Sequence, residues 1–525
     1  MLSPALRGFI RRTFNFKSFL RRLFGISPVM PMLWPIGKWF IDDPVHIGRD
    51  HWLGLVHVYI SNHFRRTHEY ILGKTGKGKS KYVEHRFIQD VKHGGCGVGV
   101  VDPASDLADD ILQRLWSMGY FGHYQGKDEL GKPIFHWNET NCKRVIYYEP
   151  WRDDYVVPFN VLNIPKNKDG NLTERSEDRA ENVMEAFKKA WPDSLREAPR
   201  FVDIGLPSFR IMAEAGLTLP QFRKFLSSRG FRDRALSRVE DKALASDFVN
   251  QYQRSTDDEL RQIDSVWNKL TRFSFYRPLR RTLGQATNVL NFKTIMDEQK
   301  ILIVNLYRMP LELQCFLGTL ITLGFQQATN SRKSNRIPFY LYLDEFPRFI
   351  TMGGSSEVIN TMLSQCRKFG FHLILIHQQI SQLNSNLLGA FGNIGTKTVF
   401  NSDYADAKQL IHALFVPYPN DPDPMKVNQL TAIVQRLQEQ VAILKVDGWE
   451  VGCFRSEPLA SVPCSDEELE MVKVKLLQTH GLKASELVDD LDDEMTDVLQ
   501  SPNKTILSHL DTLPMIPVLA KNPYL

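Results

Sequence analysis

A glycine-rich segment from Gly73 to Ser80, GKTGKGKS, has the spacing G-x-x-x-x-G-K-[ST] at every position. It lies between the apolar run EYIL and a helical pattern, KSKYVEHRFIQDVKHG, that ends at a glycine. Glycines in such a turn allow successive backbone N–H groups to surround phosphate oxygens at the N-terminus of a helix. The segment therefore predicts a site for ATP, with Lys79 on the β- and γ-phosphates and the Ser80 hydroxyl on Mg²⁺.

The predicted nucleotide-binding residues are those of this loop and the start of its helix. They are Gly73, Lys74, Thr75, Gly76, Lys77, Gly78, Lys79, Ser80 and Lys81. Lys74 and Lys77 could add positive potential, although solvated loop lysines are the simpler interpretation.

A pair of acids supplies what a nucleotide hydrolase needs besides the loop. FYLYLDEF places Asp344 and Glu345 directly after five strand residues. Asp344 would hold Mg²⁺ through its water shell, and Glu345 would orient and deprotonate the attacking water. A strand-end pair that only caps the next helix is the structural alternative. The glutamate favours hydrolysis over phosphotransfer, because a phosphotransferase must exclude water.

Two further residues are predicted to complete the catalytic set. Gln378, in LIHQQISQL, follows a strand and should lie beside Asp344, where it could sense the γ-phosphate. Gln379 is the competing choice, and a glutamine that merely caps a strand is the alternative. Arg367 ends a helical pattern that starts beside the nucleotide, so at ~1.5 Å per residue it lies ~15–20 Å from its own phosphates. It would act on a neighbouring subunit's nucleotide, unless it only stabilises a helix C-terminus.

Strand patterns that alternate with helical patterns indicate the elements that position these residues. The strand patterns are Val98–Val101, Ile301–Leu306, Phe339–Glu345, Phe371–Ile376 and Thr396–Phe400. Such uninterrupted apolar runs are typical of parallel strands covered on both faces. The predicted fold class is α/β, a doubly wound RecA-like P-loop ATPase domain with an inserted all-α domain. VAILKV and VGCFR, joined through Asp447 and Gly448, predict a hairpin at the sheet edge.

Composition shifts predict four regions. They are a basic, aromatic arm (1–50), the ATPase domain (51–177 and 285–464), the all-α insertion (178–284) and an acidic tail with little fixed structure (465–525). Within the insertion, Thr218 is the predicted N-cap with Gln221 three residues later, and Gly230 the predicted terminator. A second insertion helix is predicted from DDELRQIDSVWNKLTRFSF.

Charge, cysteines and hydropathy limit the remaining possibilities. The net charge of +5 is too modest to indicate a nucleic-acid binder by itself. Six cysteines that lie far apart, with no CxxC pair, indicate neither a zinc site nor a disulfide framework. A reducing, cytoplasmic compartment is the simplest interpretation. The uncharged stretch from Leu23 to Gly37 is too short and too rich in proline for a membrane helix. No integral span is predicted, and the arm either packs on the body or lies on an anionic membrane.

The motifs, taken together, resemble a known family. HEYILGKTGKGKS, GVGVVDPASDLADDIL, LNFKTIMDEQKILIVNL, LYLDEF, CRKFGFHLILIHQQISQL and NIGTKTVFNSDYADAKQL follow one another around the insertion. This order, over roughly His68 to Ala413, resembles the conjugative coupling proteins of type IV secretion, within the HerA/FtsK group of ring translocases. The resemblance implies a homo-hexameric ATPase that pumps DNA, usually single-stranded, through a central channel. It also implies Lys79, Ser80, Asp344, Glu345 and Gln378 at the nucleotide, with Arg367 acting in trans.

The same resemblance implies a relaxase or nucleoprotein substrate, a membrane channel partner and a peripheral place at the inner face of the membrane. The sequence departs from the family in two respects. No transmembrane pair is legible near the N-terminus, and the usual lysine or glycine between two acids is replaced in DPASD. The roles of Asp102 and Asp106 therefore stay open.

Contacts with DNA and the nature of the cargo are the least determined features. SFYRPLRR offers Arg277, Arg280 and Arg281 beside aromatic residues, which suits phosphate neutralisation and base stacking. A solvated basic face is an equal alternative, and NSRKSNR (Arg332, Lys333, Arg336) is predicted to be plain surface. Two other functions remain open: a secretion ATPase that moves protein, and a nucleotide-dependent switch or scaffold with little turnover.

Overall fold

A computed structural model describes most of the chain between residues 45 and 487. The described residues are 45–51, 54, 57–127, 133–165, 174–197, 199–253, 276–332, 336–350, 357–380, 383, 385–411, 424–447 and 451–487. The predicted arm up to residue 44, the predicted helix of 257–275 and the tail after 487 lie outside them.

Fifteen strands occur in the described residues. They are β1 (Val45–Asp50), β2 (His57–Ile60), β3 (Glu69–Leu72), β4 (Gly97–Asp102), β5 (Gly122–Lys127), β6 (Pro133–Trp137), β7 (Val145–Tyr148), β8 (Tyr155–Val156), β9 (Ile301–Asn305), β10 (Phe339–Leu343), β11 (Phe371–His377), β12 (Thr396–Val399), β13 (Val441–Val446), β14 (Gly452–Ser456) and β15 (Leu482–Lys483). Eleven form one sheet in the order β2-β1-β14-β13-β12-β3-β11-β10-β4-β9-β7. The strands from β12 to β7 are parallel, and those from β12 to β2 pair antiparallel.

Helices connect the parallel strands and form the insertion. They are α1 (Asn62–Arg65), α2 (Lys79–His93), α3 (Asp106–Ser117), α4 (Glu139–Arg144), α5 (Ser176–Ala190), α6 (Pro192–Glu197), α7 (Pro199–Glu214), α8 (Phe222–Ser227), α9 (Arg229–Arg238), α10 (Lys242–Gln253), α11 (Arg277–Leu283), α12 (Phe292–Asp297), α13 (Leu311–Asn330), α14 (Pro347–Ile350), α15 (Glu357–Gln365), α16 (Ser385–Ala390), α17 (Tyr404–Leu410), α18 (Pro424–Arg436) and α19 (Asp466–His480). Short 3₁₀ turns occur at Leu219–Gln221, Cys366–Phe369, Phe391–Asn393 and Ala484–Glu486. None of the helices in the described residues is both long enough and apolar enough to cross a membrane.

The burial of the central strands explains why they could be recognised in the sequence as unbroken apolar runs. Every residue of β3, β4, β9, β10 and β11 is buried, because helices cover both faces. Leu343 lies opposite both Val101 and Leu375, and Leu72 lies opposite His377. The four strands β3, β11, β10 and β4 therefore end at one edge of the sheet, where ligands of doubly wound folds bind. The predicted α/β fold is confirmed.

The antiparallel side of the sheet differs from the prediction. The hairpin of β13 and β14 forms, but its predicted place at the edge is wrong, because β1 and β2 extend the sheet beyond it. Residues 45–50 accordingly belong to the sheet and not to the predicted arm. A β-bulge between His46 and Gly48 interrupts the alternation of β1, so this strand gives a weak sequence signal. Gly48 also passes so close to the Arg455 carbonyl oxygen that any side chain would collide with it.

The described residues between α5 and α11 contain helices and no strand, as predicted for the insertion. The Thr218 backbone N–H donates to Gln221 Oε1 at 2.9 Å, as the predicted capping box requires. Gly230 does not end this helix. The Ser228 side chain accepts a hydrogen bond from the Phe231 N–H and starts α9, so Gly230 lies inside that helix.

The prediction of little fixed structure after residue 464 is wrong over 466–487. Ser465 and Glu468 form a capping box that starts α19. Leu469, Val472 and Leu476 are buried at helical spacing, which the acidic composition of this region obscured. One surface prediction also fails, because Arg332 is buried and donates to the carbonyl oxygens of Phe369 and Ile337.

The contribution of α19 can be measured with two leucines. Leu476→Ala removes a fully buried side chain and should lower the free energy of unfolding by about 2–5 kcal/mol in urea denaturation of the full chain. Leu482→Ala is the matched control, since Leu482 is 41% exposed and should cost under about 1 kcal/mol. Equal effects of the two substitutions would mean that α19 does not pack on the body.

Candidate nucleotide-binding site

The predicted phosphate loop joins β3 to α2 at the shared edge of the parallel strands. Three backbone hydrogen bonds fix it. The Gly73 N–H donates to the His377 carbonyl oxygen at 3.3 Å, and the Lys74 N–H donates to that of Asn401 at 3.0 Å. The Gln440 N–H donates to the Lys77 carbonyl oxygen at 3.0 Å. Strand ends on both sides of β3 therefore hold the loop in place.

The glycines of the loop are required by its backbone. Gly76 and Gly78 have φ values of +74° and +95°, in the region that favours glycine. A Cβ on Gly78 would lie 2.9 Å from the Gln440 Cα, so the loop also needs the close approach. The backbone N–H groups from Thr75 to Gly78 have no acceptor among the described residues. Unpaired donors at the start of a helix are what an anion site offers, so the loop fits a phosphate chain.

Lys79 and Glu345 form an ion pair beneath the loop. Lys79 is 5% exposed, and its Nζ lies 3.6 Å from Glu345 Oε1 and 3.3 Å from the His377 carbonyl oxygen. Burial lowers the pKa of Lys79, while the charges of Asp344 and Glu345 act to raise it. In this arrangement the Glu345 carboxylate pairs with the Lys79 ammonium, which would otherwise be available to a phosphate chain.

Asp344 and Glu345 follow β10 at the predicted position. Burial raises the pKa of Asp344 to about 7, with Asp102 and Glu345 adding to the rise and Lys79 opposing it. Glu345 has a φ of +45°, a strained conformation for a residue other than glycine. Its Oε1 is buried and makes no hydrogen bond in the described residues. A divalent cation beside Asp344 and a water beside Glu345 would satisfy these two groups.

Gln378 lies against the loop, whereas Arg367 does not. The Thr75 hydroxyl donates to Gln378 Oε1 at 2.8 Å, and the competing Gln379 is exposed. Arg367 is exposed in the 3₁₀ turn before β11, at the opposite end of that strand from Gln378. Seven strand residues at ~3.3 Å each separate the two ends by about 20 Å. Arg367 therefore cannot contact the nucleotide of its own chain.

The remaining residues predicted to contact the nucleotide differ in whether their side chains are available to a ligand. Lys74 and Ser80 are exposed on the loop and at the start of α2, where a ligand can reach them. The Lys81 ammonium instead contacts Glu84 at 2.9 Å and Asp110 at 2.7 Å. A contact from Lys81 to a nucleotide would have to come from its backbone.

The structure gives Asp102 a role that the sequence left open. Asp102 is fully buried at the end of β4, and its two oxygens accept from the backbone N–H groups of Ala104 and Ala108 at 2.7 and 2.8 Å. It thereby caps the start of α3 one strand away from Asp344, whose pKa its charge helps to raise. Asp106 is exposed in the first turn of α3.

The three arginines predicted to contact DNA lie on or at the start of α11. Arg277 is exposed and Arg280 is partly exposed, but Arg281 is only 9% exposed. Arg281 is therefore poorly placed for a phosphate contact. The neighbouring Tyr276 packs on Trp151, with ring centroids 4.7 Å apart, and is not free for base stacking.

Several supports of the site were absent from the sequence analysis. They are the carbonyl groups of His377 and Asn401, the backbone of Gln440 and the hydroxyl of Thr75. Only the positions of His377 and Asn401, each directly after a recognisable strand, carried any signal. Backbone contacts depend on no residue type, so a sequence pattern cannot reveal them.

Comparison with known proteins supports the family resemblance. Residues 235–405, about a third of the chain, match the family described as type IV secretory system conjugative DNA transfer. This range includes Asp344, Glu345, Gln378 and Arg367 and confirms the predicted resemblance to that family. No curated protein sequence matches the chain significantly.

Solved coupling proteins share the fold. The unbound bacterial conjugative coupling protein TrwBΔN70 is 12% identical, with a TM-score of 0.51 over 78% of this chain and 89% of that chain. The plasmid coupling protein TrwB in complex with ADP and Mg²⁺ is 12% identical, with a TM-score of 0.50 over 77% and 89%. VirB4 of Thermoanaerobacter pseudethanolicus is also 12% identical, with a TM-score of 0.49 over 80% and 98%.

The raised pKa of Asp344 predicts a pH-dependent stability difference between the wild type and Asp344→Asn. The folded carboxyl group keeps its proton to about pH 7, whereas the unfolded one loses it near the ordinary value of 3.8. The folded state thus binds more protons between these values, and its stability falls as pH rises through this window. The measurement is thermal and urea unfolding of the metal-free, nucleotide-free protein. Between pH 5 and pH 7.5, the free energy of unfolding of Asp344→Asn should rise relative to that of the wild type by on the order of 2 kcal/mol. A gap that stays constant with pH would exclude the raised pKa.

Proposed function

We propose that this chain, whose residues 235–405 match the conjugative DNA transfer family of type IV secretion, is an ATPase that forms a ring and moves DNA through its central channel. Hydrolysis would take place between subunits. The observation that carries the proposal is the ion pair between the buried Lys79 and the partly buried Glu345 under the phosphate loop, beside Asp344 and Gln378.

The residues present fit ATP and Mg²⁺. The unpaired N–H groups from Thr75 to Gly78 and the Lys79 ammonium would bind the phosphate chain. Ser80 and Asp344 would hold the ion, which neutralises charge on the β- and γ-phosphates. The similar coupling protein TrwB has been solved in complex with ADP and Mg²⁺, which supports a nucleotide and Mg²⁺ as the molecules bound at this site.

Glu345 is proposed as the general base. When phosphates take over the Lys79 ammonium, the Glu345 carboxylate loses its partner and becomes available to a water. It would accept a proton from that water as the oxygen attacks the γ-phosphorus. Gln378 accepts a hydrogen bond from Thr75 of the loop, so loss of the γ-phosphate would change its contacts and could shift β11, which it directly follows.

Arg367 supplies the reason to propose a ring. Lys79 would bind the phosphate chain, and a further cation, such as an arginine from a neighbouring subunit, would stabilise the charge that develops in the transition state. Arg367 is exposed and about 20 Å away along β11. In a ring of identical subunits, this end of one chain would face the loop of the next.

DNA is the proposed cargo because the matched family is one of conjugative DNA transfer. Arg277, an exposed residue, and Arg280, a partly exposed one, are the proposed phosphate contacts. A relaxase or nucleoprotein as substrate, a membrane channel as partner and a place at the inner face of the membrane follow from the same match as proposals. A motor for protein would be stimulated by protein substrates, and a switch would turn over slowly under all conditions.

Glu345→Gln tests the proposed base. The variant should keep ATP binding, because Lys79 and the loop are intact, and should lose hydrolysis by at least about 100-fold. In the wild type, single-stranded DNA should stimulate the ATPase rate. Glu439→Gln is the matched control and should behave as the wild type. Glu439 is an exposed glutamate next to Gln440, whose backbone N–H donates to the Lys77 carbonyl oxygen of the loop. Full hydrolysis in Glu345→Gln would exclude this residue as the base.

A mixing experiment tests catalysis between subunits. Arg367→Ala should reduce hydrolysis by about 1,000-fold, whereas Lys368→Ala, in the same exposed turn, should not. Lys79→Ala should be inactive as well. Rings mixed from Arg367→Ala and Lys79→Ala subunits would contain interfaces with an intact Lys79 and an intact Arg367, so activity should partly return. Unchanged hydrolysis in Arg367→Ala alone would favour the switch.

A further inference from the structure

A cluster of two histidines and a glutamate lies on the antiparallel side of the sheet, away from the phosphate loop. His46 is in β1, His57 is in β2, and Glu457 directly follows β14. His57 Nδ1 lies 2.9 Å from His46 Nε2, which in turn lies 3.8 Å from Glu457 Oε2. The three donor atoms are all within 4.8 Å of one another. We call these residues the edge cluster.

The bulge in β1 creates this arrangement. His46 and Arg49 are three residues apart and would face opposite sides of a regular strand. Both nevertheless contact Glu457, because the extra residue between His46 and Gly48 shifts the alternation. A bulge that redirects a side chain in this way is a common device at functional sites.

The ring orientation of His46 suits a ligand of a metal ion. One ring nitrogen hydrogen-bonds the backbone of Gly48, so the nitrogen that faces His57 carries the lone pair. Metal-binding histidines ordinarily use the second nitrogen in this manner to fix the ring.

A fourth residue points to a ligand independently. His85, on α2, is 7% exposed and packs edge-on against His46, with ring centroids 5.4 Å apart. Its ring hydrogen-bonds the backbone of His46, and its Nε2 is buried without a hydrogen bond in the described residues. An unpaired buried acceptor is unfavourable unless a cation or a water satisfies it.

We propose that His46 Nε2, His57 Nδ1 and Glu457 Oε2 bind a divalent transition-metal ion of the zinc class. In a tetrahedral site with bonds of about 2.0–2.1 Å, the donor atoms lie about 3.3 Å apart. This distance falls between the 2.9 Å that separates the two histidine nitrogens and the 3.8 Å from His46 Nε2 to Glu457 Oε2. Two imidazoles and one carboxylate favour Zn²⁺, Co²⁺ or Ni²⁺ over Mg²⁺ and Ca²⁺. A water or the nearby His85 would complete the coordination.

The ion would be structural. It would fasten β1, β2 and the end of β14 together and, through His85, would adjoin the helix that starts at the phosphate loop. Binding requires His57 to move its proton from Nδ1 to Nε2, with no net loss, and requires Glu457 Oε2 to give up its hydrogen bond from Arg49 Nε. The Arg49 guanidinium holds Glu457 through two hydrogen bonds of 3.1 and 3.2 Å and so competes with the ion.

The test is a titration of the full-length chain, stripped with a chelator, with Zn²⁺ against a chromophoric competitor. The wild type should bind one equivalent, and Co²⁺ at the same site should give visible ligand-field absorption of a tetrahedral complex. His57→Gln should weaken binding at least ~100-fold, and Glu457→Gln should weaken it as well. His63→Gln changes an exposed histidine near β2 and should leave binding unchanged. Arg49→Gln should tighten binding by up to about five-fold, because it frees Glu457.

Thermal melts separate a lost ligand from a misfolded variant. In chelator, His57→Gln should melt close to the wild type, and added Zn²⁺ should raise the melting temperature of the wild type only. Binding that is equal in the wild type, His57→Gln and Glu457→Gln would overturn the proposal. So would the absence of any equivalent bound to the wild type, which would leave the edge cluster as a histidine–histidine hydrogen bond beside an ion pair.

Discussion

The ion pair between Lys79 and Glu345 is the interaction on which the rest of the candidate site depends. Both groups are withdrawn from water, and their attraction offsets the lost hydration only where the geometry is held firmly. Lys79 also donates to the end of β11, and Glu345 is held in a strained conformation directly after β10. Two adjacent strands and the loop thus meet at one pair of charges. A nucleotide that bound the Lys79 ammonium would leave the Glu345 carboxylate without its partner.

The antiparallel half of the sheet holds the phosphate loop above the Lys79–Glu345 ion pair through backbone hydrogen bonds. The loop is fixed by the backbone of Gln440, which precedes β13 and whose carbonyl oxygen accepts from Ser456 at the end of β14. β14 pairs with β1, and the edge cluster lies where these strands meet β2. A continuous set of hydrogen-bonded strands therefore connects the N-terminal edge to the phosphate loop. An ion bound at the edge would stiffen that connection without taking part in the chemistry.

The edge of the sheet where the parallel strands end could be predicted from sequence, because fully buried parallel strands leave unbroken apolar runs and their ends fall in register. The positions of Asp344, Glu345 and Gln378 at this edge were predicted in this way, and their catalytic roles stay proposals. β1 could not be found, since its bulge breaks the alternation, and α19 was obscured by acidic residues on its exposed face. The prediction that Gly230 ends a helix was wrong, because Ser228, two residues earlier, caps the next helix and places Gly230 inside it. The edge cluster joins residues that are distant in sequence, so only the folded sheet brings them together.

The central claim is that ATP hydrolysis moves DNA, and a displacement assay tests it most directly. The purified protein would be loaded on DNA that carries a protein block or a third strand at increasing distances. The account predicts ATP-dependent displacement with a lag that grows in proportion to the DNA length, and no displacement by Glu345→Gln. Vigorous ATP hydrolysis with no displacement, or with a lag independent of length, would contradict it.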